Sequence, residues 1–546
     1  MPAPKGSWED GPGNSRVTAV HAILLHTGQV LIFHCRAYPM WSRLYDPYTN
    51  LMSADNQVVP IWPVVYKDPE EPENNYPIQP SAIFCSGHCA MADGRILVAG
   101  GEMITPYPEV YLEASEQPVR GLRYSFIFDP DEEAWEITGP VNSPHIMDFG
   151  RWYPTLTILQ DGRILTVGGL SNFVTEDFKS LINNLPEIYD IESVDGWLQL
   201  SAQSALMPKD ISYSYPDAHI VPTGSLAGKV FYATTQLVPD SQDPPVYYDG
   251  YSQIFNPSPA GSESYWTPLN NRRATPSEGS AGVLLPIRKG DPRARILLTG
   301  GWWVNPLDRA DYIDLSDSSY SNLPQWNSIT PMTHARINHN VVILPDRTLM
   351  VIGGEDSQGS VLIPELLDTD TLTWISDFVE PSEMEIGRNY HSTALLLPNA
   401  KVMLAGGRVA DSGDLENDTE RRITLFKPGY LSDGAQPAII SETPFEINYG
   451  GTFVITLDGS YQLDSMALIR PGSVTHGNNM EQRYIELYYQ GVSGQPGTYE
   501  VNAPANAFLA PPGYYMLFVL KAAAESNSGQ SRIPSNAIFI KLITSP

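Results

Sequence analysis

A cysteine, two tyrosines and two histidines stand in local motifs that set them apart from the rest of the chain. Cys85 lies in FCSGHCA, Tyr153 in GRWYPT, the pair Tyr390 and His391 in GRNYHS, and His476 in RPGSVTHGNNMEQR. Two imidazoles with oxygen donors suit Cu(II) in a tetragonal site that leaves an equatorial position open for a substrate. These residues could therefore do copper chemistry, provided that the fold brings them together.

A repeat predicts the elements that must position these residues. One hairpin motif occurs seven times: a turn with Gly, Asp or Asn, then Lys, Arg or Gln, a short apolar run and often Gly-Gly. The copies are HTGQVLIFH, ADGRILVAGG, QDGRILTVGG, LAGKVFYATT, PRARILLTGG, PDRTLMVIGG and PNAKVMLAGG, and they begin at His26, Ala92, Gln160, Leu226, Pro292, Pro345 and Pro398. Turn residues followed by β-branched and aliphatic residues are typical of hairpins, and a regular period is typical of propellers and solenoids. The sequence thus predicts an all-β fold with a seven-bladed β-propeller, and the even spacing argues against the alternative, a two-sheet sandwich repeated twice.

Three of the candidate residues share one position in this repeat. Cys85 lies eight residues before Asp93, Tyr153 eight before Asp161, and His391 eight before Asn399. Equivalent positions in a repeat occupy equivalent places in space. If the strand that carries them is the innermost one, all three side chains converge on the propeller axis.

Tyr390 and His391 are neighbours in sequence, and successive side chains of a regular strand face opposite sides. Both can reach one metal only at a strand start, a bulge or a loop, and Gly387 and Asn389 favour such an irregularity.

Beyond about residue 425 the repeat stops. The segments FVITLDG, SMALIR, YIELYYQ, GTYEVNAP, GYYMLFVLKA and NAIFIKLI predict short alternating strands of an immunoglobulin-like sandwich. We therefore predict a propeller over residues 1–425 and a sandwich over 426–546. His476 falls between two of these strands, so we expect it on a hairpin loop that could reach the other domain.

Taken together and in this chain order, the motifs resemble those of the copper radical oxidases, the family of galactose oxidase and glyoxal oxidase. The resemblance implies a thioether bond between Cys85 and Tyr153, which makes a protein-derived radical cofactor. It implies one copper ion bound by Tyr153, Tyr390, His391 and His476, with Tyr390 as the general base. It also implies a kelch-type propeller and an early-set sandwich whose loop carries His476 into the propeller channel.

The implied activity is that of a copper-dependent oxidase. Such an enzyme removes two electrons from a small aldehyde or primary alcohol, reduces O₂ and releases hydrogen peroxide. Copper shuttles one electron between its common states, and the radical on Tyr153 supplies the second oxidising equivalent. The partners would be a small-molecule substrate and O₂, with no nucleic acid and no membrane span, and we expect a monomer.

Two positions depart from galactose oxidase. There a Gly-Gly-Ser-Trp sequence follows the radical tyrosine and its Trp stacks over the thioether, whereas Ser171 stands at the Trp position here. An aromatic cover could come from other residues, namely Phe173, Trp302 or Trp303. The counterpart of the sugar-binding arginine is Tyr213-Ser214-Tyr215-Pro216, which has no Arg, so galactose is not the expected substrate. The RWYPT and PGSVTH motifs are closer to glyoxal oxidases and their bacterial relatives.

Composition narrows the classes of function. The net charge of −29 argues against nucleic acid and anionic membrane surfaces, and no apolar run is long enough to span a bilayer. The start, MPAPKGSWED, lacks the pattern of a signal peptide. Either the signal peptide is absent from this sequence, or export uses another route, or the protein stays inside the cell. Because the family is typically exported, we expect the first, a secreted or periplasmic protein.

Three cysteines do not make a disulfide framework. With Cys85 in the cross-link, Cys35 and Cys89 could pair with each other, but we expect buried thiols. Two other functions stay open. The chain could be a kelch-type binding or cell-surface structural protein with a vestigial copper site, or a copper enzyme that uses the same ligands without the cross-link.

Overall fold

The backbone is built almost entirely of strands. The computed structural model describes residues 6–34, 41–57, 66–67, 75–76, 82–102, 121–140, 144–171, 182–200, 203–208, 211–233, 252–260, 264–269, 279–302, 305–316, 324–375, 383–409, 418–432, 437–522 and 532–543. Two short 3₁₀ turns lie among them, Gln203–Ala205 and Gly429–Leu431. In this part of the chain no helix is both long and apolar enough to cross a bilayer.

Seven antiparallel sheets form the propeller blades. From the first blade to the seventh, the first strands are His21–Leu24, Gly87–Ala90, Thr155–Ile158, Ala218–Ile220, Ala281–Leu284, Ile337–Ile343 and Ser392–Leu396. The second strands are Val30–Phe33, Ile96–Ala99, Ile164–Val167, Val230–Tyr232, Arg295–Thr299, Thr348–Asp356 and Val402–Gly406. The third strands are Trp41–Asp46, Leu122–Asp129, Glu187–Tyr189, Gln253–Phe255, Ala310–Asp314, Glu365–Asp368 and Thr424–Lys427. The fourth strands are Leu51–Met52, Ala134–Ile137, Trp197–Gln199, Trp266–Pro268, Trp326–Ser328, Thr373–Ile375 and Ser7–Asp10.

The first strands are the innermost ones, because those of most neighbouring blades contact one another. Strands one and two are apolar and almost wholly buried, whereas the fourth strands carry exposed residues. Each predicted turn joins the first and second strands of its blade. The seven-bladed propeller is therefore confirmed, and the sandwich-repeat alternative is wrong.

The seventh blade takes its outermost strand from the start of the chain. Ser7–Asp10 pairs antiparallel with Thr424–Lys427, and the rings of Trp8 and Phe426 lie 5.0 Å apart. This pairing closes the ring of blades with both ends of the propeller segment. The sequence repeat did not predict it, because Ser7–Asp10 carries no copy of the hairpin motif.

Short strands supplement the blades. Asn56–Gln57 pairs with the first blade, Ile146–Arg151 with the second and Gly359–Ser360 with the sixth. Tyr66–Lys67 and Asn75–Tyr76 form a separate two-stranded ribbon.

The C-terminal domain is a sandwich of two sheets. One sheet contains Ile440–Glu442, Thr452–Leu457, Thr498–Asn502 and Tyr489–Gly491. The other contains Glu446–Asn448, Ile538–Ile543, Gly513–Lys521, Leu463–Arg470, Arg483–Glu486 and Ile533–Pro534. The predicted sandwich is confirmed. The division at residue 425 stays a prediction; the last propeller strand ends at Lys427 and the first sandwich strand begins at Ile440.

A hairpin of the sandwich enters the propeller. Its strands are Ser473–Thr475 and Asn478–Asn479, and Ser473–Thr475 pairs antiparallel with His21–Leu24 of the first blade. The hairpin thus adds a strand from the sandwich domain to the sheet of the first blade, beside its innermost propeller strand. His476 lies at its tip.

Candidate functional site

Six of the seven blades share one unusual backbone feature at the start of the innermost strand. At this position the backbone adopts positive φ, the left-handed region. The residues and their φ angles are Cys85 56°, Tyr153 70°, Tyr215 44°, Gly279 66°, Asn338 54° and His391 68°. The three positions that the sequence places in register are therefore three members of a larger set around the axis.

Backbone hydrogen bonds tie these positions together. The Tyr153 N–H donates to the Cys85 carbonyl at 3.0 Å, and the Tyr215 N–H donates to the Tyr153 carbonyl at 2.8 Å. On the other side, the Asn338 N–H donates to the Gly279 carbonyl at 3.1 Å. A residue with a Cβ in the left-handed region costs roughly 1–2 kcal/mol, so the fold holds these side chains at an energetic cost.

A buried arginine supports this turn in three blades. Arg151, Arg336 and Arg388 are each at most 1 % exposed. Each Nη1 donates to the carbonyl of the first glycine in its blade's Gly-Gly pair, and the pairs are Arg151 to Gly168 at 2.8 Å, Arg336 to Gly353 at 2.9 Å and Arg388 to Gly406 at 2.8 Å. In these three blades, the Gly-Gly pair of the repeat thus supplies the carbonyl that anchors the arginine beside the positive-φ turn.

Two tyrosine hydroxyls meet at the centre of the site. The Tyr153 and Tyr390 hydroxyl oxygens are 2.8 Å apart, which is a hydrogen bond. Burial, and then the neighbouring Cys85 and Tyr390, raise the pKa of Tyr153 well above its usual value. Without a cation Tyr153 is therefore a neutral phenol, and a bound metal ion would favour its phenolate.

Two histidines face each other beside the tyrosines. The rings of His391 and His476 are perpendicular, with centroids 4.6 Å apart, and the Tyr390 ring lies 3.9 Å from that of His391. His391 immediately precedes the strand Ser392–Leu396 and has positive φ. It therefore lies at the strand start that the Tyr390–His391 pair requires.

The tautomer of His476 follows from its neighbours. The Thr475 hydroxyl donates its proton to the Val20 carbonyl at 2.9 Å, so it can only accept from His476 Nδ1, which is 2.6 Å away. This arrangement leaves the lone pair of Nε2 facing the site. Burial, then His88 and Arg408, lower the pKa of His476 to about 3, so the ring is neutral and can act as a ligand.

Cys85 completes the group. Its side chain is fully buried, and its Sγ lies 3.4 Å from His476 Nε2. One donor atom each from Cys85, His391 and His476 lie within 4.8 Å of one another. With the adjacent phenol oxygens, this set of buried and half-buried nitrogen, oxygen and sulfur donors fits copper.

The aromatic cover of Tyr153 comes from a residue that the sequence did not single out. The Trp152 ring lies against that of Tyr153, with centroids 4.1 Å apart and planes 35° apart. Ser171, at the position compared with the stacking Trp, is buried. Trp302 is 40 % exposed, and Phe173 and Trp303 lie outside the described residues. The GRWYPT motif already contained the signal.

Tyr215 and Arg408 also line the site. The Tyr215 ring lies 5.1 Å from Tyr153 and 4.8 Å from His476, and its hydroxyl donates to the Ser86 carbonyl at 3.0 Å. The Arg408 guanidinium lies 4.7 Å above the Tyr390 ring. Tyr215 shares the backbone position of Cys85 and Tyr153, so the region that lacks the sugar-binding arginine presents a phenol here.

The structure thus brings together all five residues that the sequence singled out, Cys85, Tyr153, Tyr390, His391 and His476. Their roles as ligands, base and cross-link partners stay predictions. Of the two other cysteines, Cys89 is a buried thiol that donates to the Glu481 carboxylate at 3.3 Å, and Cys35 lies outside the described residues.

Comparisons with known proteins identify relatives of this chain. Residues 436–541 match the family described as "Galactose oxidase-like, Early set domain". The chain is 26% identical to "Aldehyde oxidase GLOX1" of Arabidopsis thaliana, over 94% of this chain and 82% of that protein. It is 25% identical to "Aldehyde oxidase GLOX" of Vitis pseudoreticulata, over 98% and 97%. It is 26% identical to a galactose oxidase of Gibberella zeae, over 81% of this chain and 59% of the other.

A solved structure shares the fold. It is described as "Novel fungal alcohol oxidase with catalytic diversity among the AA5 family, in complex with copper" and superimposes with a TM-score of 0.72 at 21% identity, over 98% of this chain and 99% of the other. The predicted resemblance to the copper radical oxidases is confirmed by the relatives and the sandwich family, and these findings support a copper-dependent oxidase.

Proposed function

We propose that this chain, a relative of the copper radical oxidases along nearly its whole length, is a mononuclear copper oxidase with a Cys85–Tyr153 radical cofactor. It oxidises small aldehydes, through their hydrates, or small primary alcohols. Two electrons and two protons pass from the substrate to O₂, which leaves as hydrogen peroxide. An aldehyde hydrate becomes a carboxylic acid, and a primary alcohol becomes an aldehyde.

One observation carries the proposal. Five residues from three blades and the sandwich hairpin meet at one buried point, where the Tyr153 and Tyr390 hydroxyls are 2.8 Å apart and Cys85 Sγ is 3.4 Å from His476. A propeller that only binds partners has no need to hold a cysteine, a tyrosine and a histidine in the left-handed region. Backbone strain of this kind clusters at functional sites.

Tyr153, Tyr390, His391 and His476 would hold the copper ion, whose chemistry when bound is one-electron redox exchange beside the oxidisable ring of Tyr153. The cross-link forms when the Cys85 thiol and the Tyr153 ring each lose one hydrogen, and O₂ takes up both with their electrons as hydrogen peroxide. The new bond joins Sγ to a ring carbon. The Tyr153 N–H already donates to the Cys85 carbonyl, which reduces the backbone freedom that Cys85 loses in this step.

The protein's own groups handle the substrate proton and exclude water. Tyr390 is the general base, and its hydroxyl lies next to Tyr153. The Arg408 guanidinium lies over the Tyr390 ring, a cation–π contact that holds the ring in place. Trp152 covers one face of the Tyr153 ring and Tyr215 meets its edge, which keeps solvent from the radical.

The substrate class follows from what the pocket offers. Sugar binding needs convergent donors for several hydroxyls, and a site loses such a substrate when one donor is missing. Tyr215 stands in the region of the absent arginine and already donates its hydroxyl to the Ser86 carbonyl. A hydrated aldehyde or short alcohol needs only the metal position and Tyr390.

Peroxide release tests this proposal. The copper-loaded protein should oxidise methylglyoxal, glycolaldehyde or a short primary alcohol with kcat/KM about tenfold above that for galactose, about 1.4 kcal/mol of transition-state preference. Tyr390→Phe, with the same fold and no base, is the matched control. Galactose preferred by the same factor would contradict the substrate class. Absence of peroxide with every substrate would contradict the oxidase and favour a binding or cell-surface protein.

Further features belong to the same proposal. The protein acts as a monomer with a small-molecule substrate and O₂ as its partners. It works outside the cytoplasm, as a secreted or periplasmic enzyme. A sedimentation measurement and localisation of the tagged native protein check these two points.

A further inference from the structure

A chain of buried hydrogen bonds reaches the backbone N–H of Cys85. The Cys85 N–H donates to His21 Nε2 at 3.1 Å. His21 Nδ1 lies 3.1 Å from His88 Nε2, and His88 Nδ1 lies 2.5 Å from the Ser473 hydroxyl oxygen. All four residues are fully buried. The chain therefore links the first blade, the second blade and the sandwich hairpin.

The direction of every bond in this chain is fixed. A backbone N–H can only donate, so His21 Nε2 must be the unprotonated nitrogen and His21 Nδ1 must carry the proton. His21 then donates to His88 Nε2, which leaves the His88 proton on Nδ1, facing Ser473. The Ser473 hydroxyl donates in turn to the His88 carbonyl at 3.1 Å, so it accepts from the ring.

Both rings stay neutral in this arrangement. Burial and then His88 lower the pKa of His21 well below its usual value, and burial lowers that of His88 to about 3. His21 is also locked in place, because its ring stacks on Phe33 with centroids 4.5 Å apart. A neutral and immobile acceptor is what a buried amide in a strained turn requires.

Both backbone polar groups of Cys85 are thus hydrogen-bonded. His21 accepts from its N–H, and its carbonyl accepts from Tyr153, while φ is 56°. The left-handed region is disfavoured for a cysteine, so the two bonds together select this conformation. The direction of the Cα–Cβ bond, and hence the place of Sγ, depends on it.

We propose that His21 is a positioning residue for Cys85, and that His88 and Ser473 fix the tautomer through which it acts. This inference rests on the proposed Cys85–Tyr153 cofactor and deepens it. The hairpin that brings His476 to the site would also, through Ser473, help to fix the position of Cys85 Sγ. Neither histidine touches the substrate.

Three variants test the proposal. His21→Leu removes the acceptor. His21→Gln keeps a carboxamide oxygen for the Cys85 N–H and an amide for His88. His219→Leu is the control, because His219 also lies on an innermost strand and pairs with Asp217 at 2.9 Å, away from Cys85.

Cross-link formation is measured first, from the mass of the joined Cys85 and Tyr153 peptides after aerobic copper loading. We expect His21→Leu to form the link about tenfold more slowly, with copper affinity within about twofold of wild type. His21→Gln should restore most of the rate, and His219→Leu should match wild type. A wild-type rate in His21→Leu overturns the inference.

The second measurement needs neither copper nor the cross-link. In the metal-free protein, iodoacetamide should alkylate Cys85 about tenfold faster in His21→Leu than in wild type, because the turn is released. Equal alkylation overturns the inference. If wild type itself forms no link, the proposed function fails, and alkylation alone decides the positioning role.

The tautomer is checked in wild type, so a variant that does not fold leaves the test intact. With ¹⁵N-labelled histidine, the Nε2 atoms of His21 and His88 should both show the shift of an unprotonated nitrogen. A proton on His21 Nε2 would overturn the inference.

Discussion

The positive-φ turn at the start of the innermost strands carries different kinds of side chain in two groups of three blades. In blades two, three and seven the left-handed position holds Cys85, Tyr153 and His391, and in blades four, five and six it holds Tyr215, Gly279 and Asn338. The backbone is the same in both groups. Only the side chains differ: Cys85, Tyr153 and His391 lie around His476, and Tyr215 of the other group also lines the site.

Gly279 shows what the turn needs for its own sake. Glycine adopts positive φ without a steric cost, so the fold alone would accept it in every blade. Cysteine, tyrosine and histidine at the equivalent positions are less favourable choices, which points to chemistry as the reason. The repeat thus supplies a ring of equivalent positions, and the hairpin of the second domain adds His476 beside Cys85, Tyr153 and His391.

The largest effect on stability should come from breaking the Arg470–Glu481 ion pair at the base of the hairpin. Arg470 and Glu481, 3 % and 1 % exposed, pair at 3.0 Å, and Glu481 Oε2 accepts from the Ala90 N–H at 2.7 Å. Arg470→Met leaves a buried carboxylate unpaired and should cost about 3–5 kcal/mol of unfolding free energy. Urea unfolding measures this.

Two comparisons sharpen that result. The double variant Arg470→Met/Glu481→Leu should cost less than Arg470→Met, because no charge is stranded. Arg293→Met breaks the surface pair with Asp291 and should change stability by less than about 0.5 kcal/mol. An Arg470→Met protein as stable as wild type would show that the hairpin is held by other contacts.

The next largest effect should come from replacing His476, the metal-binding residue of the hairpin. His476→Ala should weaken copper binding about 100-fold, about 2.7 kcal/mol, because a neutral buried imidazole is lost. It should also loosen the two domains. Asn338→Gly, at the equivalent turn of blade six, is the matched control and should bind copper as wild type does. Titration calorimetry with EPR decides; unchanged affinity and EPR parameters in His476→Ala would show that the hairpin takes no part.

Much of this arrangement could be predicted from the chain. The turn motif fixed the number of blades, and its spacing to Cys85, Tyr153 and His391 placed them at one level. Asn338 stands eight residues before Asp346 and could have been found in the same way. Tyr215 was hidden because the hairpin of its blade is longer, so the count to the turn no longer applies.

Other features left no local trace. Ser7–Asp10 pairs with a strand of the seventh blade that follows the whole propeller sequence. Ser473–Thr475, from the sandwich domain, pairs with His21–Leu24. Such pairings depend on which edges meet in space, and no period or motif encodes them. The His21–His88–Ser473 chain was missed for the same reason.

Acid should destabilise the hairpin side of the channel. Burial lowers the pKa of His88 to about 3, while an unfolded histidine titrates near 6.5. Between these values the unfolded state binds the extra proton, so stability is full above pH ~6.5 and falls as the pH drops. From pH 7 to pH 5 the metal-free protein should lose about 2 kcal/mol through this residue.

Urea unfolding at several pH values measures the loss. His88→Gln should show a shallower decline, by about the same 2 kcal/mol, whatever its stability at pH 7. Equal pH dependence of the two proteins would contradict the assignment of a buried neutral His88.

The smallest effect concerns the turn itself. Because φ is positive, Cys85→Gly should be more stable than Cys85→Ala by about 1 kcal/mol, and Asn338→Gly should exceed Asn338→Ala similarly. Chemical denaturation of the four variants measures this. If alanine equals or exceeds glycine at both positions, the turn carries no strain, and the comparison between the two groups loses its basis.

The proposed function depends above all on Cys85 and Tyr153 forming one cofactor. The most direct test is peptide mass spectrometry of the wild-type protein after metal-free purification and aerobic copper loading. We predict one joined species that contains both residues and has lost two hydrogen atoms, formed without a helper enzyme and absent in Cys85→Ala. Separate peptides with an intact Cys85 thiol, in protein that binds copper and has seen O₂, would contradict it and leave Cys85 as a candidate copper ligand.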